Sequence, residues 1–168
     1  MTEEGAARAR RLSRELAVSG VTVVSGLAKG VDINAHRAAI AAGGATAAVI
    51  GTPLGQAYPA EHRDIQELIA SEFLLISPFP EGASVYASNF PKRNRVMAAL
   101  TIGTVIVEAT DSSGTLHQAV ECERLGRWLF ILKSVYENPN LKWPKRYARY
   151  ERVKIVASAE DVLGALEF

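Results

Sequence analysis

The sequence predicts an α/β protein built on an open, mostly parallel sheet with helices on both faces. Two observations predict it. A series of short runs is nearly all apolar and rich in β-branched residues, the composition of strands buried on both faces. Helical patterns lie between them, and such alternation joins neighbouring parallel strands through right-handed crossovers.

In order, the chain opens on a helical pattern over residues 3–18 and turns into a first strand, "VTVVSG". A helix over 32–42 follows, then the strand "TAAVIG" (46–51), a helix over 60–71 and the strand "FLLIS" (73–77). A helix over 92–101 precedes "TVIVEA" (104–109), and one over 114–125 precedes "WLFIL" (128–132). After "VKIVA" (153–157) a last helix covers 159–167, opened by "SAED", a capping-box sequence. No repeat, low-complexity tract or long linker interrupts the series, so residues 1–168 are read as one domain.

Composition bounds the function. At 168 residues and 48% hydrophobic, the chain suits one domain with a sizeable core. With 22% charged residues and a formal net charge of +1, no global field holds it on nucleic acid or an anionic membrane, so any anion binding is local. No apolar run reaches the ~20 residues that span a bilayer, and "MTEEGAARARRLSREL" lacks the apolar centre of a signal peptide, so a cytoplasmic protein without membrane partners is expected. The single cysteine, Cys122, fits a reduced core residue, and no metal-ligand cluster is visible.

Ligands of open α/β sheets gather beyond the carboxyl ends of the strands, which makes the turns there the place to look. These turns read "SGLAKGVDINAH", "GTPLGQAYP", "SPFPEG" and "EATDSSGTLHQA", all expected on one rim. In the first, Gly26 and Gly30 allow close approach of a ligand, while the following helix aims free amides and its positive end at the same spot. The alternative is a tight turn in which Asp32 caps the helix and His36 is a satisfied helix histidine. Because Lys29 precedes Gly30 and no Gly-Lys-Ser/Thr follows, the loop is neither a P-loop nor GxGxxG. In the fourth turn Ser112, Ser113 and Thr115 offer hydroxyls and Gly114 close approach, with an ordinary N-cap as the alternative. Glu108 and Asp111 nearby can hold an arginine or a ribose hydroxyl.

"SNFPKRNRVMAAL" packs Lys92, Arg93 and Arg95 around Asn94. The planar arginine fork binds phosphate oxygens in pairs, so the motif reads as phosphate-binding. The alternative pairs Arg95 with Glu108 or Asp111 and leaves Lys92 and Arg93 to solvent. A second cationic stretch, "LKWPKRYARYERVK", interleaves Trp143, Tyr147 and Tyr150 with Lys142, Lys145, Arg146, Arg149 and Arg152. It is either a track for a single strand or a surface crossover whose rings cover the core.

In order and spacing, "SGLAKGVDINAHRAAIAAGGATAAVIGTPLGQAYP", "NFPKRNRVMAAL", "TVIVEATDSSGTL" and "ERLGRWLFI" resemble the DprA/Smf family of DNA-processing proteins over roughly residues 5–133. The resemblance implies an extended Rossmann-like fold, a homodimer, binding of single-stranded DNA, and loading of a RecA-type recombinase during natural transformation. It implies a binding rim of Ser25, Gly26, Lys29, Gly30, Arg93, Asn94, Arg95, Ser113 and Gly114, to which the motifs above add Lys92 and Thr115. No cofactor, metal or catalytic residue is implied. There are departures: the strand ending in Gly-Ser-Arg that precedes the first helix in relatives is absent, so a central strand and one arginine of the pocket are expected to be missing. Ala60 stands where many relatives have a basic residue, "ISPFP" stands where they have Ser-Glu, and the winged-helix domain of relatives is not expected in this chain.

LOG-type phosphoribohydrolases share this fold, and "DSSGTLHQ" resembles their GGxGTxxE motif in its Gly-Thr. His117 or Gln118 occupies the glutamate position, however, and Glu121 lies a helical turn further on, so hydrolysis is not expected. A sensor module of the same superfamily that binds a nucleotide-derived ligand without chemistry needs only the rim.

Overall fold

The structure, a computed structural model, describes residues 1–166; the expected end of the last helix at 167 lies outside the described residues. The chain divides into two compact units, Met1–Met97 and Ala98–Phe168.

The first unit opens with α1 (Glu3–Val18), whose start the sequence dictates. Thr2 stands at the N-cap, its Oγ1 accepting from the Gly5 amide at 3.0 Å, and Glu3 and Glu4 face the positive helix end. Ala9, Leu12, Leu16 and Ala17 are buried along this helix, which packs on α2 (Val31–Ala41). Strands β1 (Val23–Ser25), β2 (Thr46–Val49) and β3 (Leu74–Ile76) form a parallel sheet in that order, with Val24 opposite Ala47 and Ala48 opposite Leu75. β2 is central and buried throughout, Thr46 being its one polar side chain. A 3-10 turn at Ala60–His62 leads into α3 (Arg63–Glu72), and Leu27, Ile33, Ala48, Ile50 and Ile69 form the core. An irregular stretch over 77–88 then enters α4 (Asn89–Leu100). This helix begins ahead of the expected residue 92, because Pro91 falls in its first turn, where an amide hydrogen has no helical partner to lose.

In the second unit β4 (Gly103–Ile106), β5 (Trp128–Leu132) and β6 (Val153–Val156) form another parallel sheet in that order, with Val105 opposite Phe130 and Phe130 opposite Lys154. Leu129 to Leu132 of the central strand are buried. The helices are α5 (Leu116–Arg124), the short α6 (Lys133–Tyr136) and α7 (Trp143–Arg146), neither of them foreseen, and α8 (Ala159–Leu166). The capping box forms: Ser158 Oγ accepts from the Asp161 amide at 3.3 Å, and Asp161 Oδ2 accepts from the amides of Ala157 and Ser158 at 2.7 and 3.1 Å.

The α/β, Rossmann-like class holds, but the single sheet expected from the sequence is two three-stranded sheets, one per unit. Among the described residues β1 finds its ladder partner only in β2, and β4 only in β5. The four turns therefore divide, three in the first unit and the "DSSGT" turn in the second. No helix among the described residues is long and apolar enough to cross a membrane.

Candidate functional site

The loop leaving β1 is held from within. Asp32, in the first turn of α2, accepts from Ser25 Oγ at 2.8 Å and from the Ala28 amide at 3.2 Å. Asp32 thus ties the loop rather than capping the helix, whose N-cap is Gly30 at φ 98°, a conformation that favours glycine. Leu27 also has a positive φ, 57°, and its side chain is fully buried while its carbonyl accepts from His62 Nδ1 at 2.7 Å. A left-handed leucine costs about 1–2 kcal/mol, which the buried side chain and this hydrogen bond offset. His36 is wholly buried, and its Nδ1 donates to Thr46 Oγ1 at 2.8 Å because the Thr46 proton goes to the Val23 carbonyl at 2.7 Å. Burial lowers its pKa to about 4, against the opposing pull of the Asp32 carboxylate, so the ring is neutral.

Arg93 departs from the expectation of a phosphate-facing cation. It is 3% exposed, and its guanidinium donates to the carbonyls of Gly26 and of Val49, the latter at 2.7 Å, and through Nε to Asn94 Oδ1 at 2.8 Å. Desolvation lowers its pKa and Asp32 raises it; the group stays charged, as arginines do. Glycine is required at residue 26 because a Cβ there would fall on the guanidinium, and at residue 51 because a Cβ would press on the Phe90 ring at 2.8 Å. Of the other cations in the motif, Lys92 and Arg95 are exposed and Asn94 is half-buried.

These elements frame a concavity of about 570 Å³ within the first unit. Tyr58, Tyr86 and Phe90 line it, together with Gly26, Lys29 and Arg93. The Tyr58 and Phe90 ring centroids are 5.2 Å apart and tilted by 46°, and Arg93 Cζ lies 5.9 Å from the centre of Phe90. Tyr58 and Tyr86 remain 56% and 64% exposed, so flat apolar faces are open to a ligand. Lys29 Nζ, at the same concavity, rests 3.1 Å from Glu61, an exposed pair that a stronger anion can displace. The site thus combines stacking surfaces with positive charge.

The structure gathers Gly26, Lys29 and Arg93 at this concavity and sets Ser25 and Gly30 in its loop. Lys92 and Arg95 sit on α4 without lining it. Ser113, Gly114 and Thr115 belong to the second unit, where Ser113 Oγ accepts from the Thr110 amide at 2.7 Å and Thr115 occupies the N-cap of α5 without a side-chain cap bond. Asp111 accepts from the Trp143 amide at 2.8 Å, and Glu121 is buried and accepts from Arg124 Nε at 2.9 Å. The three rings escaped the sequence reading. Tyr58 and Phe90 each precede a proline in the quoted motifs "QAYP" and "SNFP", a signal available in principle, whereas Tyr86 lies in an irregular stretch with no periodicity to mark it.

The family model described as DNA recombination-mediator protein A matches residues 1–167. Protein Smf of Synechocystis sp. is 40% identical over 131 residues, which are 78% of this chain and 33% of that protein. A crystal structure of DNA processing protein A from Streptococcus pneumoniae superposes with a TM-score of 0.87 at 33% identity, covering 100% of this chain and 59% of that one. The Helicobacter pylori protein of that name, whose structure was described for its single-stranded DNA binding mode, gives 0.83 at 26% identity, covering 99% of this chain and 75% of that one. The chain spans from a third to about half the length of the curated relatives it matches over most of its own length.

Proposed function

We propose that this chain, which belongs to the DNA recombination-mediator protein A family, binds single-stranded DNA at the concavity of its first unit. The observation that carries the reading is the aromatic concavity with its lysine: an unpaired base stacks against Tyr58, Tyr86 or Phe90 while an adjoining phosphate displaces Glu61 from Lys29. Lys92 and Arg95, both exposed, meet further phosphates, and Ser113, Gly114 and Thr115 offer a phosphate contact of the second unit. Ser25, Gly26, Gly30, Arg93 and Asn94 keep the loop and helix in place around Lys29. The role of the H. pylori protein in binding single-stranded DNA agrees with this reading. Duplex binds less well, because its paired and stacked bases cannot reach the rings.

The test is fluorescence anisotropy with oligo-dT and a matched duplex. Phe90→Ala and Tyr86→Ala are each expected to weaken single-strand binding by about 1–3 kcal/mol, the contribution of one stacked base. Equal affinity for duplex, or unchanged binding in both variants, overturns the reading. In keeping with the family's description as a recombination mediator, we also read the chain as a cytoplasmic homodimer that presents the strand to a RecA-type recombinase; sedimentation, alone and with recombinase, tests this. No covalent chemistry is assigned. Glu121 is engaged by Arg124, so nucleoside monophosphates are expected to release no free base, and release abolished by Glu121→Gln would restore the phosphoribohydrolase reading. The volume of the concavity, within the range of small-molecule sites, favours as a second reading a nucleotide-derived ligand, revealed if mononucleotides compete with oligo-dT.

A further inference from the structure

Residues 142–152 carry Lys142, Lys145, Arg146, Arg149 and Arg152 against Glu151 alone, in a chain whose formal net charge is +1. All of these cations are exposed, and none makes a salt bridge among the described residues. The backbone explains how rings and cations separate. The amides of Tyr147, Ala148, Tyr150 and Val153 donate to the carbonyls three residues before them, a run of turns that sets side chains three apart on one side. Trp143 and Tyr147 turn inward, 6% and 2% exposed, and the Tyr150 hydroxyl donates toward the carbonyls of Cys122 and Arg127. Arg146, Arg149 and Arg152 keep the same period on the outside.

We propose that this outward face is a second nucleic-acid contact, one that holds the phosphate backbone by charge and reads no base. The inference rests on the single-strand reading above for its class of partner, but on different residues. Stacking is not assigned to this face, since Trp143 and Tyr147 are in the core and the half-buried Tyr150 is held by its hydroxyl to backbone carbonyls. A lipid surface fits less well, since such a segment needs outward apolar side chains to insert and here the large ones face inward. Arginine forks and unpaired lysines match phosphate oxygens, and they do so equally on single and double strands.

The experiment compares the wild-type chain, a variant with Lys142→Gln, Lys145→Gln, Arg149→Gln and Arg152→Gln, and Phe90→Ala. Arg146 is kept because its guanidinium lies 5.8 Å from the Tyr147 ring centre and helps seat it. Each is titrated over a range of salt against oligo-dT, an abasic oligodeoxynucleotide of equal length, and duplex; circular dichroism confirms that the exposed substitutions leave the fold intact. The glutamine variant is expected to lose affinity for all three, with the slope of log affinity against log salt on oligo-dT falling by about 0.7 for each phosphate contact removed. Phe90→Ala is expected to lose affinity for oligo-dT alone. A glutamine variant with wild-type affinity and slope overturns the second contact and leaves the concavity reading intact. A glutamine variant that loses binding beside an unaffected Phe90→Ala supports the second contact and overturns the concavity instead. A wild-type chain that binds none of the three, or whose cations matter only for phosphatidylserine vesicles, also overturns it.

Discussion

Removing the nearly buried Arg93 side chain would take from the carbonyls of Gly26 and Val49 the guanidinium that donates to both. Arg93→Ala is therefore expected to cost about 1–3 kcal/mol for each stranded carbonyl, read as a lower urea midpoint. Arg95→Ala, at an exposed position two residues on, should stay within about 0.5 kcal/mol of wild type while weakening oligonucleotide binding. Two arginines of one motif thus part into a buried and an exposed one, a distinction that spacing in "PKRNR" cannot make because it depends on which helical face meets the strand ends. His36 makes a second test at this scale. Its folded pKa, about 4, lies below the ordinary 6.5, so the unfolded chain takes up the proton first as pH falls. Stability should therefore decline from about pH 6.5 down to about pH 4 and level off below, by up to about 3 kcal/mol from this residue. His36→Gln should flatten that part of the pH profile relative to wild type in parallel thermal melts.

Among the elements, α8 shows most directly how a local sequence specifies a start. Ser158→Ala removes one half of the capping box and should cost about 1 kcal/mol in chemical denaturation. The other half is pH-dependent: the amides of Ala157 and Ser158 hold the Asp161 carboxyl below its ordinary range, so its contribution is present at neutral pH and is lost as pH falls through the depressed folded value. Asp161→Asn should show a smaller loss of stability on acidification than wild type. This start was legible in the sequence because cap, first turn and apolar stripe are contiguous, and β5 was legible because its five residues are all apolar. The first turn of α4 was not, since "SNFP" looks like a loop until the proline is seen to occupy a position that needs no amide hydrogen. The interleaved rings and cations of 142–152 were legible as a pattern but not in direction, because a three-residue turn period and an alternating surface track share the same letters.

At the scale of the molecule, the alternation of strands and helices disclosed the fold class, and the glycine-rich turns pointed to the loop after β1. What the sequence could not disclose was hydrogen-bond partnership between strands, which divides the expected sheet into β1-β2-β3 and β4-β5-β6, or the meeting of Tyr58 with Tyr86 and Phe90 at one concavity, about thirty residues further along the chain beyond α3 and β3. The same division has an optical consequence. Trp128, stacked on Phe130 with centroids 5.7 Å apart, and Trp143, whose Nε1 donates to the Ala109 carbonyl at 3.2 Å, are the chain's two tryptophans, and both lie in the second unit. The first unit is dark in indole emission, so the protein carries a natural label on one half. In a denaturant titration the emission should shift to the red only as the second unit opens, whereas far-ultraviolet dichroism counts the helices of both. Followed together in one unlabelled sample, the two signals read one half against the whole, and a gap between their midpoints would reveal halves that melt in separate steps.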